Sequence, residues 1–97
     1  MPEMLFEVRW PDGALQTFYS PSLIVQEYLE AGREYPLADF VDRVRTAMGV
    51  AEVRVRAKYG MGCSMAPVAV AQVEAVQAEL AAAGLADGAV RVERFRT

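Results

Sequence analysis

The sequence predicts an α+β fold of element order ββαααβ, in which a small antiparallel sheet, built from an N-terminal β-hairpin and a C-terminal strand, packs against about three helices. Three observations lead there. Apolar residues alternate at both ends of the chain, a Pro-Asp-Gly turn follows the first alternation, and apolar steps of three and four fill the middle. The 97 residues fit one compact domain over 1–97, with a radius of gyration of about 12–13 Å.

Met4, Phe6, Val8 and Trp10 share one side of a strand whose other side carries Glu7 and Arg9. Pro11-Asp12-Gly13 supplies a fixed φ, an Asx side chain and a residue free to take positive φ, so a second strand should run from Ala14 to about Tyr19. Ser20-Pro21-Ser22 reads as a helix start, because a serine oxygen can cap free amides and proline suits the first turn. Leu23, Ile24, Tyr28 and Ala31 then give a helical stripe of about three turns, with Gly32 placed to end it.

From Pro36 onward Leu37, Phe40, Val41, Val44, Met48, Ala51, Val55 and Tyr59 recur on one helical face. Asp39 with Arg43, and Glu52 with Arg56, add opposite charges four apart. Residues 50–58 also admit a strand, since Glu52 to Lys58 alternates and Gly49 could break the helix. The apolar stripe runs through Gly49 in phase, and that continuity favours the helix. After Gly60-Met61-Gly62, Ala69, Val73, Val76, Leu80 and Ala83 resume helical spacing up to Gly84, forming a helical hairpin with the preceding segment. Ala89 to Phe95 alternates as a closing strand, which should pair with the opening hairpin to satisfy its ladder groups. The expected core is Phe6, Val8, Trp10, Phe40, Val44, Met48, Val55, Val73, Val76, Leu80 and Val92.

Hydrophobic residues make up 54% of the chain and charged ones 24%, a globular balance far from that of disordered chains. Ten Lys and Arg stand against thirteen Asp and Glu, the wrong sign for a protein held to nucleic acid by phosphate contacts. A lone Cys63 forms no internal disulfide, and neither a leader nor a run of eighteen apolar residues is visible, so a cytoplasmic protein without membrane attachment is expected. At this size a homo-oligomer would be a natural source of added stability.

The chain contains no histidine, which removes the commonest general base and zinc ligand. With one cysteine and no Walker or dinucleotide fingerprint, no metal site and no cofactor are expected. One local constellation has chemical potential: Tyr59, Gly60, Gly62, Cys63 and Ser64, directly before a predicted helix. Helix amides aimed at Cys63 would favour its thiolate, and the glycines would let backbone N–H groups approach a ligand. The plainer account, which weighs more, has Gly60 ending one helix, Ser64 capping the next and Cys63 as a small buried hydrophobe. Arg54, Arg56 and Lys58, with Arg43 and Arg45 before them, could receive an anionic group or an acidic surface. Solvated helix sides explain them without a ligand, and the same holds for Arg91, Arg94 and Arg96 on the last strand. Asp39, Asp42, Glu74 and Glu79 should lie on such faces and receive no acid–base role. Trp10, Tyr19, Tyr35 and Tyr59 could stack on a flat ligand, with core packing as the plainer role.

The strings MPEM at the start, VRWPDG from Val8 to Gly13, YSPS from Tyr19 to Ser22, DFV-R-R from Asp39 to Arg45, and VRAKYG followed by CS from Val55 to Ser64 occur in order. Together they resemble a family of short bacterial nitrogen-starvation response proteins, encoded beside a nitrilase in gene clusters for nitrile or cyanide nitrogen use. The resemblance implies a setting among a nitrilase, a radical-SAM protein, an acetyltransferase-like protein, an aminoimidazole-ribotide-synthase-like protein and a flavoprotein. It implies no reaction, catalytic residue or cofactor. Two departures stand out: Phe18 takes the place of a cysteine in relatives, which removes a two-thiol redox role, and Val50-Ala51-Glu52-Val53 replaces a stretch richer in Ser and Glu. The expectation is an accessory protein that binds a ligand or a partner from the same gene cluster, with a thiol-dependent enzyme or enzyme subunit using Cys63 as the alternative.

Overall fold

The computed structural model describes residues 3–60 and 65–97. Its elements are β1 (Met4–Arg9), β2 (Leu15–Ser20), α1 (Val25–Tyr28), β3 (Glu34–Pro36), α2 (Leu37–Tyr59), α3 (Met65–Ala82) and β4 (Ala89–Arg96). The α+β class and the ββαααβ succession hold, with one short strand added between α1 and α2. The strands form a four-stranded antiparallel sheet ordered β2-β1-β4-β3. Helix α2 packs on β3 and β4, and α3 packs on β2.

The hairpin follows from its turn. Gly13, at φ 90°, donates its N–H to the Trp10 carbonyl at 2.8 Å, while Trp10 N–H reaches Ala14 O at 2.9 Å. Asp12 Oδ1 accepts the Ala14 amide at 3.0 Å, the Asx contact that suits this residue to turns. The turn brings Phe18 opposite Phe6, where the rings stack at 5.4 Å, and Trp10 meets Phe18 and Phe40 edge-on at 6.1 and 5.5 Å. Phe18 is therefore a core residue. The Trp10 indole N–H is satisfied by Gln16 Oε1 at 2.8 Å.

The first helix is shorter than predicted. It makes one turn, and Leu29 then leaves in an extended conformation, φ −129° and ψ 147°. Ile24, Val25 and Leu29 are buried, while Ala31, the end of the expected stripe, is exposed. Ser20 and Ser22 bond locally instead of capping a long helix: Ser20 Oγ donates to Ser22 O at 2.6 Å, and Ser22 Oγ accepts the Ile24 amide at 3.3 Å. What overrides helix extension is the free side of β4. Gly32, at φ 84°, donates to Val92 O at 2.7 Å, and Val92 N–H reaches Arg33 O at 3.0 Å. Residues 34–36 then continue as β3, satisfying ladder groups that would otherwise stay open. Gly32 thus serves a turn into the sheet rather than a helix end.

Residues 50–58 are helical, which removes the strand alternative. Gly60, at φ 77°, ends α2 in the left-handed conformation and donates its N–H to Arg56 O at 2.8 Å. A Schellman motif ends α3: Leu85 N–H bonds Leu80 O at 2.8 Å and Gly84 N–H bonds Ala81 O at 3.1 Å. Of the expected core, Phe6, Val8, Trp10, Phe40, Val44, Met48, Val73, Leu80 and Val92 are buried and Val76 packs half-buried against them. Val55 is a correction: it is only half-buried, whereas Ala51, one turn earlier on the same stripe, is buried. The radius of gyration is 13.1 Å.

Gly49 sits inside α2 with helical backbone, and an added Cβ would meet nothing within 4 Å. Gly49→Ala should therefore stabilise the protein by roughly 0.8–1 kcal/mol, since glycine is that much worse than alanine in a helix interior. A rise in the urea midpoint at unchanged slope is the expected reading.

Candidate functional site

The sequence singled out the end of α2 and the residues after it. Arg54, Arg56 and Lys58 are exposed on the last turns of that helix. Helical geometry separates them: Arg54 and Lys58, four apart, share one side, while Arg56 lies about 200° round from Arg54. Arg56 also pairs with Glu52 at 3.1 Å, as the i,i+4 spacing predicts. Gly60 serves as a helix cap. Tyr59 closes α2, but its side chain, together with Gly62, Cys63 and Ser64, lies outside the described residues. Of the predicted constellation, only the basic helix end and its glycine cap are placed.

Three of the aromatic residues considered for stacking, Trp10, Tyr19 and Tyr35, are occupied elsewhere. Trp10 and Tyr35 are core residues, and the Tyr19 hydroxyl donates to Glu3 at 2.7 Å. Tyr35 organises the α1 side of the molecule. Its hydroxyl accepts the Glu30 amide at 2.9 Å, and the guanidiniums of Arg43 and Arg33 lie 4.8 and 5.5 Å from its ring. Arg43 also donates to Asp39 at 2.9 Å and to Tyr28 O at 2.9 Å. The Asp39 hydrogen bond raises its pKa above the ordinary arginine value, against the opposing effect of burial. With one N–H on Asp39 of its own helix and another on the Tyr28 carbonyl, Arg43 reads as a brace between α1 and α2.

The concave feature with a different character lies between α2 and α3. It has a volume of about 340 Å³, with Met48, Ala66 and Val70 beneath it and Gly49, Pro67 and Ala71 at its mouth. Arg45, Glu52 and Glu74 form the rim. Arg45 is held there by Glu74 at 2.8 Å and Asp42 at 3.1 Å. Its hydrogen bond to Glu74 is the main cause of a pKa raised above the ordinary value, so the rim keeps a fixed cation. The groove therefore combines an apolar floor with a charge-paired edge.

Sequence reasoning did not find this groove, because Arg45 and Glu74 are 29 residues apart and each resembles an ordinary surface charge. The available signal was Gly49. A glycine inside a helix costs stability, yet neither its backbone nor its neighbours among the described residues require it. Its effect is to leave the groove open. Among the described residues, no group of three or more His, Cys, Asp or Glu is gathered to hold a metal ion.

These features define a small α+β protein whose four-stranded antiparallel sheet carries helices that enclose a shallow apolar groove. The family model for the nitrogen starvation-induced protein NitG matches residues 5–95, and the chain belongs to that family. No curated protein and no solved structure matches it. Among the described residues, no helix is long and apolar enough to cross a membrane.

Proposed function

We propose that the protein is a cytoplasmic accessory component of the nitrogen-starvation response, which holds a small molecule in the groove between α2 and α3 while working beside the enzymes of nitrile use. The observation that carries this reading is Gly49. It leaves open a groove of about 340 Å³, within the range of roughly 300–1,000 Å³ typical of small-molecule sites. The apolar floor suits the body of a ligand, and the Arg45–Glu74 pair offers one cation and one acceptor at the edge. Membership of a nitrogen-starvation family supplies the setting.

The test is Gly49→Leu, which fills the groove from a position where no neighbour stands within 4 Å of the added Cβ. Tagged wild type purified from nitrogen-starved cells should carry a small molecule that mass spectrometry detects and that Gly49→Leu lacks, with thermal stability retained. The variant should also fail to restore nitrogen-limited growth to a deletion strain. Equal retention and equal growth for the two proteins would remove the groove from the function. The thiol-enzyme alternative makes a different demand: Cys63 would react with iodoacetamide near pH 7 at least as fast as a free cysteine, whose pKa is about 8.5, and Cys63→Ser would abolish growth rescue. Slow alkylation until the protein unfolds, with normal rescue, is the result expected here.

A further inference from the structure

The two edges of the sheet are built differently. At one edge, β3 has three residues and carries Glu34 and Pro36, so shortness, charge and a missing N–H all discourage pairing. At the other, β2 has six residues, Leu-Gln-Thr-Phe-Tyr-Ser, with neither charge nor proline. The Trp10–Ala14 hydrogen bond sets the phase of the hairpin. Even-numbered residues of β2 bond to β1, and odd-numbered ones turn their backbone groups outward. Among the described residues, nothing pairs with the outward amides and carbonyls of Leu15 and Thr17. Leu15 is 52% exposed on the same strand.

We infer that β2 pairs with β2 of a second copy of this chain, forming one continuous eight-stranded antiparallel sheet. A two-fold axis normal to the sheet relates identical edge strands antiparallel, the orientation of every other pair in the sheet, and closes the assembly at two. Self-pairing of β2 juxtaposes no like charges, because the strand has none. A strand of this length is about 20 Å long, and its edge alone falls short of the roughly 800 Å² per partner that a standard interface buries. The layer above adds apolar surface to it. Helix α3 packs on β2 and has two charged residues in eighteen, Glu74 and Glu79. The same axis sets two α3 helices side by side, where Val68, 42% exposed in one copy, gains cover.

Sedimentation of the full chain over a concentration series should show conversion from 10.7 kDa to twice that mass. Amide exchange at Leu15 and Thr17 should slow as the dimer forms. Thr17→Pro removes an outward N–H without touching a bond to β1, and should weaken association roughly ten- to thirtyfold through two lost strand bonds, one per copy. Thr17→Lys, a charge on the same edge, should do likewise if the proline variant folds poorly, and Thr17→Val should still dimerise. A wild type that stays monomeric up to about 1 mM would overturn the inference. So would a dimer that both disruptive variants leave intact while the two amides exchange freely.

Discussion

Replacing Phe40 with alanine is expected to lower the unfolding free energy by roughly 3–5 kcal/mol, the range seen when a buried phenylalanine is truncated. Phe40 is fully buried in α2, and its ring meets Trp10 edge-on at 5.5 Å. Trp10 in turn contacts Phe18, which stacks on Phe6, so the cavity would open where α2 meets Trp10 at the end of β1. Those rings cannot collapse inward freely. The strands beneath them are held in register on both sides of β1. Small domains have about 5–15 kcal/mol in total, so the variant should melt far earlier or fail to accumulate. Urea unfolding of the two proteins measures the difference. A change below about 1 kcal/mol would mean that the contact between α2 and the hairpin is not formed as described.

Gly88→Ala should destabilise by about 1–3 kcal/mol, as an overpacking substitution does. A Cβ there would stand 2.5 Å from Pro11 Cβ and 2.8 Å from its Cγ, atoms of a ring that cannot swing away. The backbone of Gly88 cannot retreat either. Its N–H bonds Leu85 O at 3.0 Å, and its carbonyl accepts the Leu37 amide at 3.0 Å. That second bond satisfies the first N–H of α2, whose preceding residue, Pro36, offers no side-chain cap. One glycine therefore joins the hairpin turn, the exit from α3 and the start of α2. Thermal unfolding should show a lower midpoint for Gly88→Ala, whereas Gly49→Ala shifts it upward, because the same chemical change meets a proline ring in one place and open space in the other.

Much of the candidate site was hidden for the same kind of reason. Gly60 and the Asp39–Arg43 and Glu52–Arg56 pairs were legible, since caps and i,i+4 charges depend on neighbours along one helix. The groove was not, because Arg45 meets Glu74 and Gly49 faces α3 only after two helices pack. Local spacing could single out the glycines and basic residues near Cys63, but it could not bring a surface together.

The sequence by itself determined the hairpin with its Pro-Asp-Gly turn, the long helix through Gly49, the glycine ends of α2 and α3, the closing strand and the burial of nine of the eleven residues expected inside. Each rests on a period or a turn residue whose physics is complete within a few neighbouring residues. The tertiary structure alone decided the length of α1, the existence of β3 and the exposure of Val55. Leu23 to Gly32 can form a helix in isolation, but β4 presents an unpaired edge that only Gly32 to Pro36 reach, and satisfying those backbone groups stops the helix after one turn. Val55 lies on the apolar stripe of α2, yet its burial depends on where the neighbouring elements end, which no local period records.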